Sequence, residues 1–290
     1  MGESMNLKAA QRGAYLSLVV YIILATLKYG TGFIYHSAAV RADGLNNMTD
    51  ILVSLAVLIG LKISIKPPDQ NHPYGHLKSE NISTLLVSFI IMFVGVQVLI
   101  ENTPRLWTGE QHTPNLMTIY VSIIGGLVML AVFYFNHRLA QRTQSSSLKS
   151  ASKDNLSDAL VSIGTAIGLI FTQFGLPIVD TIIALFLGLL IVYTGFDILR
   201  ESIFALSDGF NERDLEFYKS YVLEVPDVLD VENIKGRYYG SSVFVDVTII
   251  VEAKLSLEAA HHICDEVEQH MHERGVSYVY VHPEPNNIQE

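Results

Sequence analysis

Asn46 with Asp50, and Asp154 with Asp158, are two pairs of oxygen-bearing side chains, each pair four residues apart. On an α-helix that spacing puts both members on one face, about one turn apart. Each pair lies within a hydrophobic segment, where ionisable groups are costly and mark a functional site by default. Two such pairs from two helices can form one four-ligand cation site. Paired aspartates on two spans can also perform intramembrane acid–base hydrolysis, and plain helix packing is a third reading.

The elements that must position these pairs are membrane spans. Half of the 290 residues are hydrophobic and only 17% are charged, with a mean hydropathy of +0.34. That is too apolar for an ordinary soluble chain of this length. A bilayer-crossing helix needs about twenty apolar residues, and six segments qualify: 13–34, 39–63, 82–101, 115–135, 148–173 and 177–200. The fifth is apolar only after Asp158, so its polar beginning must face protein or water. Met1 to Ser17 lack the apolar stretch of a secretory signal, and the first span is expected to act as its own insertion signal.

Basic residues fix the expected orientation. Lys8, Arg12, Lys62, Lys66, Lys78, Arg138, Arg142, Lys149 and Lys153 flank alternate loops, whereas the intervening loops hold only Arg41 and Arg105. The positive-inside bias therefore predicts cytoplasmic N- and C-termini. With a rise of about 1.5 Å per residue, both pairs lie roughly 10 to 15 Å into a core about 30 Å thick, entering from opposite sides. They approach a common midplane.

Residues 1–206 carry a net charge of +1 and residues 207–290 one of −11. That break predicts a transmembrane domain over 1–206 and an acidic domain over 207–290. In the tail, Asn211 caps a helix over 212–224, Pro226 stops it, and 228–237 reads as a strand before the Tyr239-Gly240 turn. Val243, Val245, Val247, Ile249 and Val251 alternate as a buried strand face. Ser256 caps a helix reaching Arg274, Gly275 ends it, and Val276 to Val281 makes a last strand. The order α-β-β-α-β predicts a three-stranded sheet covered by two helices. The sole cysteine, Cys264, excludes an intrachain disulfide and a thiolate metal cluster.

Other groups have two readings. Asp69, His72 and His76, in the Pro- and Gly-rich loop after the second span, either converge on a cation or decorate a solvated turn. In the tail, His261, Asp265, Glu268 and His272 share a helix face, and His282 with Glu284 ends the last strand. Such a face is more often a solvated, solubilising surface, and a metal site requires the helix and the end of the last strand to be adjacent. Lys28 is read as snorkelling, Asp180 as favouring the start of the sixth span, and His36, His112 and His137 as structural.

Six spans, the paired ligands of spans two and five, the loop Pro67-Pro68-Asp69-Gln70-Asn71-His72-Pro73-Tyr74-Gly75-His76 and the small α+β tail together resemble the cation diffusion facilitator family over nearly the whole chain. The resemblance implies an all-α six-helix membrane domain followed by a cytoplasmic, metallochaperone-like α+β domain. It implies a homodimer in the cell membrane that exports divalent metal in exchange for protons, and that is not an enzyme. The transport site falls on Asn46, Asp50, Asp154 and Asp158, the loop site on Asp69, His72 and His76, and a structural charge pair on Lys78 and Asp208. In the tail, His261, His282 and Glu284 match metal-ligand positions. Glu232 and Thr248 stand where zinc exporters of the family have histidines, which puts a two-metal tail site in doubt.

The transport site departs from the zinc pattern by having four oxygen ligands and no histidine. Oxygen ligands suit manganese and imidazole suits zinc, although affinity order alone favours zinc. The set Asn, Asp, Asp, Asp resembles the manganese-exporting branch, with Zn2+, Fe2+, Co2+ and Cd2+ as alternative cargoes. No nucleotide-binding motif is present, so ATP-driven transport is not expected, and neither is a nucleic acid partner or a resident cofactor. A non-transporting metal sensor is the remaining alternative from another class.

Overall fold

A computed structural model of the chain describes residues 2–108, 114–143, 146–240 and 242–286; His112 lies outside them. The order is α1 (Gly2–Ile34), α2 (Ala38–Ser64), α3 (Ser79–Asn102), α4 (Arg105–Thr108), α5 (Leu116–Thr143), α6 (Ser146–Gln173), α7 (Ile178–Leu206), α8 (Glu212–Val222), β1 (Asp230–Tyr239), β2 (Ser242–Val251), α9 (Leu257–Glu273) and β3 (Tyr278–Pro285). Two compact units emerge, one of residues 1–55 with 87–197 and the other of 56–86 with 198–290.

Five helical stretches among the described residues are long and apolar enough to cross a membrane: Tyr15–Ile34, Ser79–Thr108, Leu116–Arg142, Ala151–Gln173 and Ile178–Leu206. Six were expected. The sixth expected segment, 39–63, falls on α2, a helix of 27 residues that is not among these five.

In the first unit α1 packs on α5 and α6, and α5 on α6. Tyr21 and Leu24 of α1, Met129 of α5 and Ala159 of α6 form one buried cluster. Ala39 and Val40 of α2 meet Ile119 of α5 and Leu169 of α6 in another, while Ala38 and Ala42 meet Val98 of α3 with Ala184 and Leu187 of α7 in a third. Alanines at these contacts let helix backbones approach closely, as membrane helix packing requires. The polar stripe of α6, Ser152, Asn155, Asp158, Ser162 and Thr165, is buried. Its spacing of three to four residues turns it inward, as the sequence demanded.

One sequence reading is corrected here and a second is extended. Lys28 does not snorkel: it is fully buried and paired with Asp43 at 3.0 Å, because a carboxylate within reach offsets burial of the ammonium. Asp180 lies in the first turn of α7 yet its carboxylate caps α2. It accepts hydrogen bonds from Ser37 Oγ at 2.6 Å, Ala38 N at 2.7 Å and Ala39 N at 3.1 Å.

The tail builds the expected three-stranded sheet, ordered β1-β2-β3. β1 and β2 are antiparallel with an irregularity between Val231 and Asn233, and β2 and β3 are parallel. Asn211 and Ser256 cap α8 and α9 through their side-chain oxygens. Val245, Val247, Ile249 and Val251 pack with Val222 of α8 and with Ile263, Val267 and Met271 of α9 in one core. Several boundaries shift, with α8 ending at Val222, β1 running to Tyr239 and β3 starting at Tyr278. β1 starts at Asp230 after a turn in which Asp227 has φ 66°. β3 runs to Pro285, since prolines are tolerated on an edge strand.

Candidate functional site

The two ligand pairs belong to α2 and α6, and a direct hydrogen bond joins them. Asn46 Nδ2 donates to Asp158 Oδ1 at 3.2 Å, and both residues are buried. The other oxygen, Asp158 Oδ2, accepts from the Tyr21 hydroxyl of α1 at 2.6 Å. Asp50 interacts electrostatically with Asp158, Asp154 and Lys28, and its Oδ2 is buried with no hydrogen-bond partner. Asp154 is exposed. A buried carboxylate oxygen without a donor is costly and calls for a cation or a proton. A hydrogen bond thus joins Asn46 to Asp158, while Asp50, Asp154 and Asp158 do not form a group of ligand atoms within 4.8 Å of one another.

Around these ligands lies a polar shell that sequence reasoning missed. Asn155 Nδ2 donates to the Tyr21 hydroxyl at 3.0 Å. Asn136 Nδ2 donates to Asn155 Oδ1 and to Ser17 Oγ, each at 2.8 Å. One helical turn away, the Lys28 ammonium donates to Ser162 Oγ at 2.7 Å, Asn47 Oδ1 at 2.8 Å and Asp43 Oδ1 at 3.0 Å. A signal for Asp43 and Asn47 existed. Positions 43, 46, 47 and 50 follow the i, i+3, i+4, i+7 rhythm of one helix face.

The second unit holds Asp69, His72 and His76, and among the described residues these are the only three His, Cys, Asp or Glu side chains whose ligand atoms lie within 4.8 Å of one another. Asp69 Oδ1 accepts from the amides of Asn71 at 2.9 Å and His72 at 2.7 Å. His72 Nδ1 is 3.1 Å from Asp69 Oδ1 and His76 Nε2 is 3.5 Å from Asp69 Oδ2. The His72 amide beside Asp69, more than any other neighbour, holds its carboxyl below the usual aspartate range. Gly75, with φ 79°, returns the chain so that the two imidazoles lie 4.3 Å apart. The loop's irregular backbone is what lets residues three and seven positions apart meet.

Lys78 Nζ pairs with Asp208 Oδ1 at 2.8 Å and sits 4.4 Å over the Tyr239 ring. In the tail, His261 pairs with Asp265 at 3.1 Å on α9 and His282 lies 3.6 Å from Glu284 on β3. The three tail candidates do not converge within one chain: His261 lies on a helix, whereas His282 and Glu284 alternate with the core residue Val281 on the strand. Thr248 is the direct register partner of His282, and Glu232 sits at the β1 irregularity.

Comparison with known proteins identifies both parts of the chain. Residues 14–207 match the model of the cation efflux transmembrane domain, and residues 211–286 match that of the cytoplasmic domain of cation efflux proteins. The chain is 44% identical over 281 residues to the manganese efflux system protein MneS of Bacillus subtilis, covering 97% of each. It is 44% identical over 289 residues to the transporter YdbO of the same organism, covering 99% of this chain and 100% of the relative. It is 26% identical over 286 residues to the manganese efflux system protein MneP, also of that organism. The chain belongs to the cation diffusion facilitator family, whose members are cation efflux transporters and not enzymes.

Proposed function

We propose that the chain exports Mn2+ from the cytoplasm in exchange for protons, through a site formed by Asn46, Asp50, Asp154 and Asp158. The observation that carries this reading is the Asn46–Asp158 bond between α2 and α6, beside the buried, unpartnered Asp50 Oδ2. Asp50, Asp154 and Asp158 supply carboxylates, and Asn46 supplies a carbonyl oxygen once its amide turns toward the metal. Carboxylates drawn together around a cation in a low dielectric cannot all stay charged after it leaves. Protons taking its place is the coupling. Rocking of helices about a nearly fixed site supplies alternating access.

In the same proposal α2 is a sixth span, both termini face the cytoplasm, the membrane domain covers 1–206 and the acidic domain 207–290, and the working unit is a homodimer in the cell membrane. Asp69, His72 and His76 form a loop site, and Lys78 with Asp208 a structural pair. His261, His282 and Glu284 let cytoplasmic metal neutralise the acidic tail and tighten the dimer. Removal of His261 and His282 without effect on metal-dependent dimerisation or transport contradicts that last role.

The absence of imidazole from the transport site supports manganese over zinc, and the likeness to MneS points the same way. The test is uptake into inverted vesicles of Mn2+, Zn2+, Fe2+, Co2+ and Cd2+, with and without a proton gradient. Mn2+ uptake coupled to proton movement is expected, with Asn46→His and Asp154→His shifting preference toward Zn2+. Normal uptake by Asp158→Ala overturns the site, and Zn2+ carried far faster than Mn2+ by the unmodified chain overturns the cargo.

A further inference from the structure

Lys28 is fully buried, and so are Asp43, Asn47 and Ser162 around it. A lysine ammonium has three hydrogens, and here each finds an oxygen: Ser162 Oγ at 2.7 Å, Asn47 Oδ1 at 2.8 Å and Asp43 Oδ1 at 3.0 Å. Asp43 Oδ2 also lies 3.0 Å away. Three helices meet at this one nitrogen, because Lys28 belongs to α1, Asp43 and Asn47 to α2, and Ser162 to α6. Asp43 precedes Asn46 by three residues, Asn47 precedes Asp50 by three, and Ser162 follows Asp158 by four. Each contact therefore sits about one turn along the same helix stripe from a transport ligand. Ser162 is tied to its ligand directly, since its hydroxyl donates to the Asp158 carbonyl at 2.9 Å.

We propose that Lys28 is a positioning residue for the cargo: it clamps α2 to α6 beside both ligand pairs and so sets the spacing of the oxygens that select the metal. This rests on the four-ligand reading and deepens it. The Lys28–Asp43 pair is neutral as a unit, so it adds rigidity without cancelling the ligands' charge. A lysine shared by three helices in hydrocarbon is expensive unless every donor is met, and here every donor is met. Without the clamp the oxygens relax around whichever ion binds, and the intrinsic order of affinities, in which Zn2+ exceeds Mn2+, takes over from geometry.

The decisive variant is Lys28→Met combined with Asp43→Asn, which removes the ion pair without stranding a buried charge. It is assayed in proteoliposomes against the unmodified full chain, reading the ratio of kcat/KM for Mn2+ over Zn2+. We expect a monodisperse protein whose ratio falls about tenfold toward Zn2+, the scale on which partners of metal ligands act. An unchanged ratio, a ratio moved toward Mn2+, or an equal loss for both metals overturns the proposal, because a purely structural pin affects both cargoes alike. If the double variant does not fold, Ser162→Ala, which removes one of the three bonds, decides in its place: a smaller shift toward Zn2+ is expected, and no shift overturns the clamp. Asp158→Asn separates this outcome from failure of the site itself. Normal Mn2+ uptake in that variant rejects the four-ligand reading whatever Lys28 does.

Discussion

The Tyr21 hydroxyl donates to Asp158 Oδ2 at 2.6 Å, from a helix that carries none of the four proposed ligands. With Asn46 on the other oxygen, both Asp158 oxygens are held by donors. In the proposed cycle Asn46 turns its carbonyl to the metal, while Tyr21 keeps Oδ2 and aims Oδ1 at the cargo. A phenol–carboxylate hydrogen bond of this kind is worth about 1.5 to 3 kcal/mol. Tyr21→Phe should therefore slow Mn2+ uptake by about tenfold or more with little change in yield. Initial uptake rates normalised to protein in the vesicle check this, and an unaltered rate contradicts the orienting role.

Asp180 ties α7 to the start of α2 through three hydrogen bonds, two of them from backbone amides that a helix N-terminus leaves unmet. Asp180→Ala strands those amides in a buried position. The expected loss is about 2 kcal/mol, seen as earlier thermal unfolding in detergent. Asp180→Asn keeps one acceptor oxygen and should lose about half as much. Equal stability of all three proteins contradicts the cap.

The local grammar of this chain was legible. Asn211 and Ser256 announced α8 and α9 as caps, and the alternation from Val243 to Val251 announced β2, because caps and alternation are short-range properties. That the two polar pairs sit on helices was legible for the same reason, and the bond joining Asn46 to Asp158 was not. Lys28 was misread because its partners Asp43, Asn47 and Ser162 come from two other helices, and no local period reports such a meeting. Tyr21 drew no reading from the sequence, and Asp180 was read as a helix-start residue for its own helix. In both cases the partner that gives the residue its role comes from another helix.

The loop carboxylate of Asp69 is held below its ordinary value of 3.8, mainly by the His72 amide. A carboxylate whose folded value is depressed contributes stability above the unfolded value, and loses it as pH falls through the folded one. The Asp69 turn should therefore persist at pH 3.8 and open only in more acidic solution. Carboxyl carbon shifts of Asp69 followed by NMR give its midpoint, and a midpoint at or above the ordinary value contradicts the turn. Asp69→Ala removes both histidine contacts and should abolish metal binding at this loop.

Gly240, at the turn between β1 and β2, has φ 59° and donates its amide to Asn81 Oδ1 at 3.0 Å. A Cβ there would lie 2.7 Å from the Leu77 carbonyl oxygen and 2.9 Å from Glu80 Oε2. Gly240→Ala thus incurs two costs, the left-handed backbone at about 1 kcal/mol and a clash with backbone at the start of α3. Gly275 separates them, having φ 88° with nothing within 4 Å of its Cβ position. Gly275→Ala should lower stability by about 1 kcal/mol, whereas Gly240→Ala should lower it further and also expose the amides of 79–84 to hydrogen exchange. Similar exchange at 79–84 in the two variants means that the turn does not brace the start of α3. A difference confined to Gly240→Ala assigns that bracing to the contact between Gly240 and Asn81, beside the Lys78–Asp208 pair.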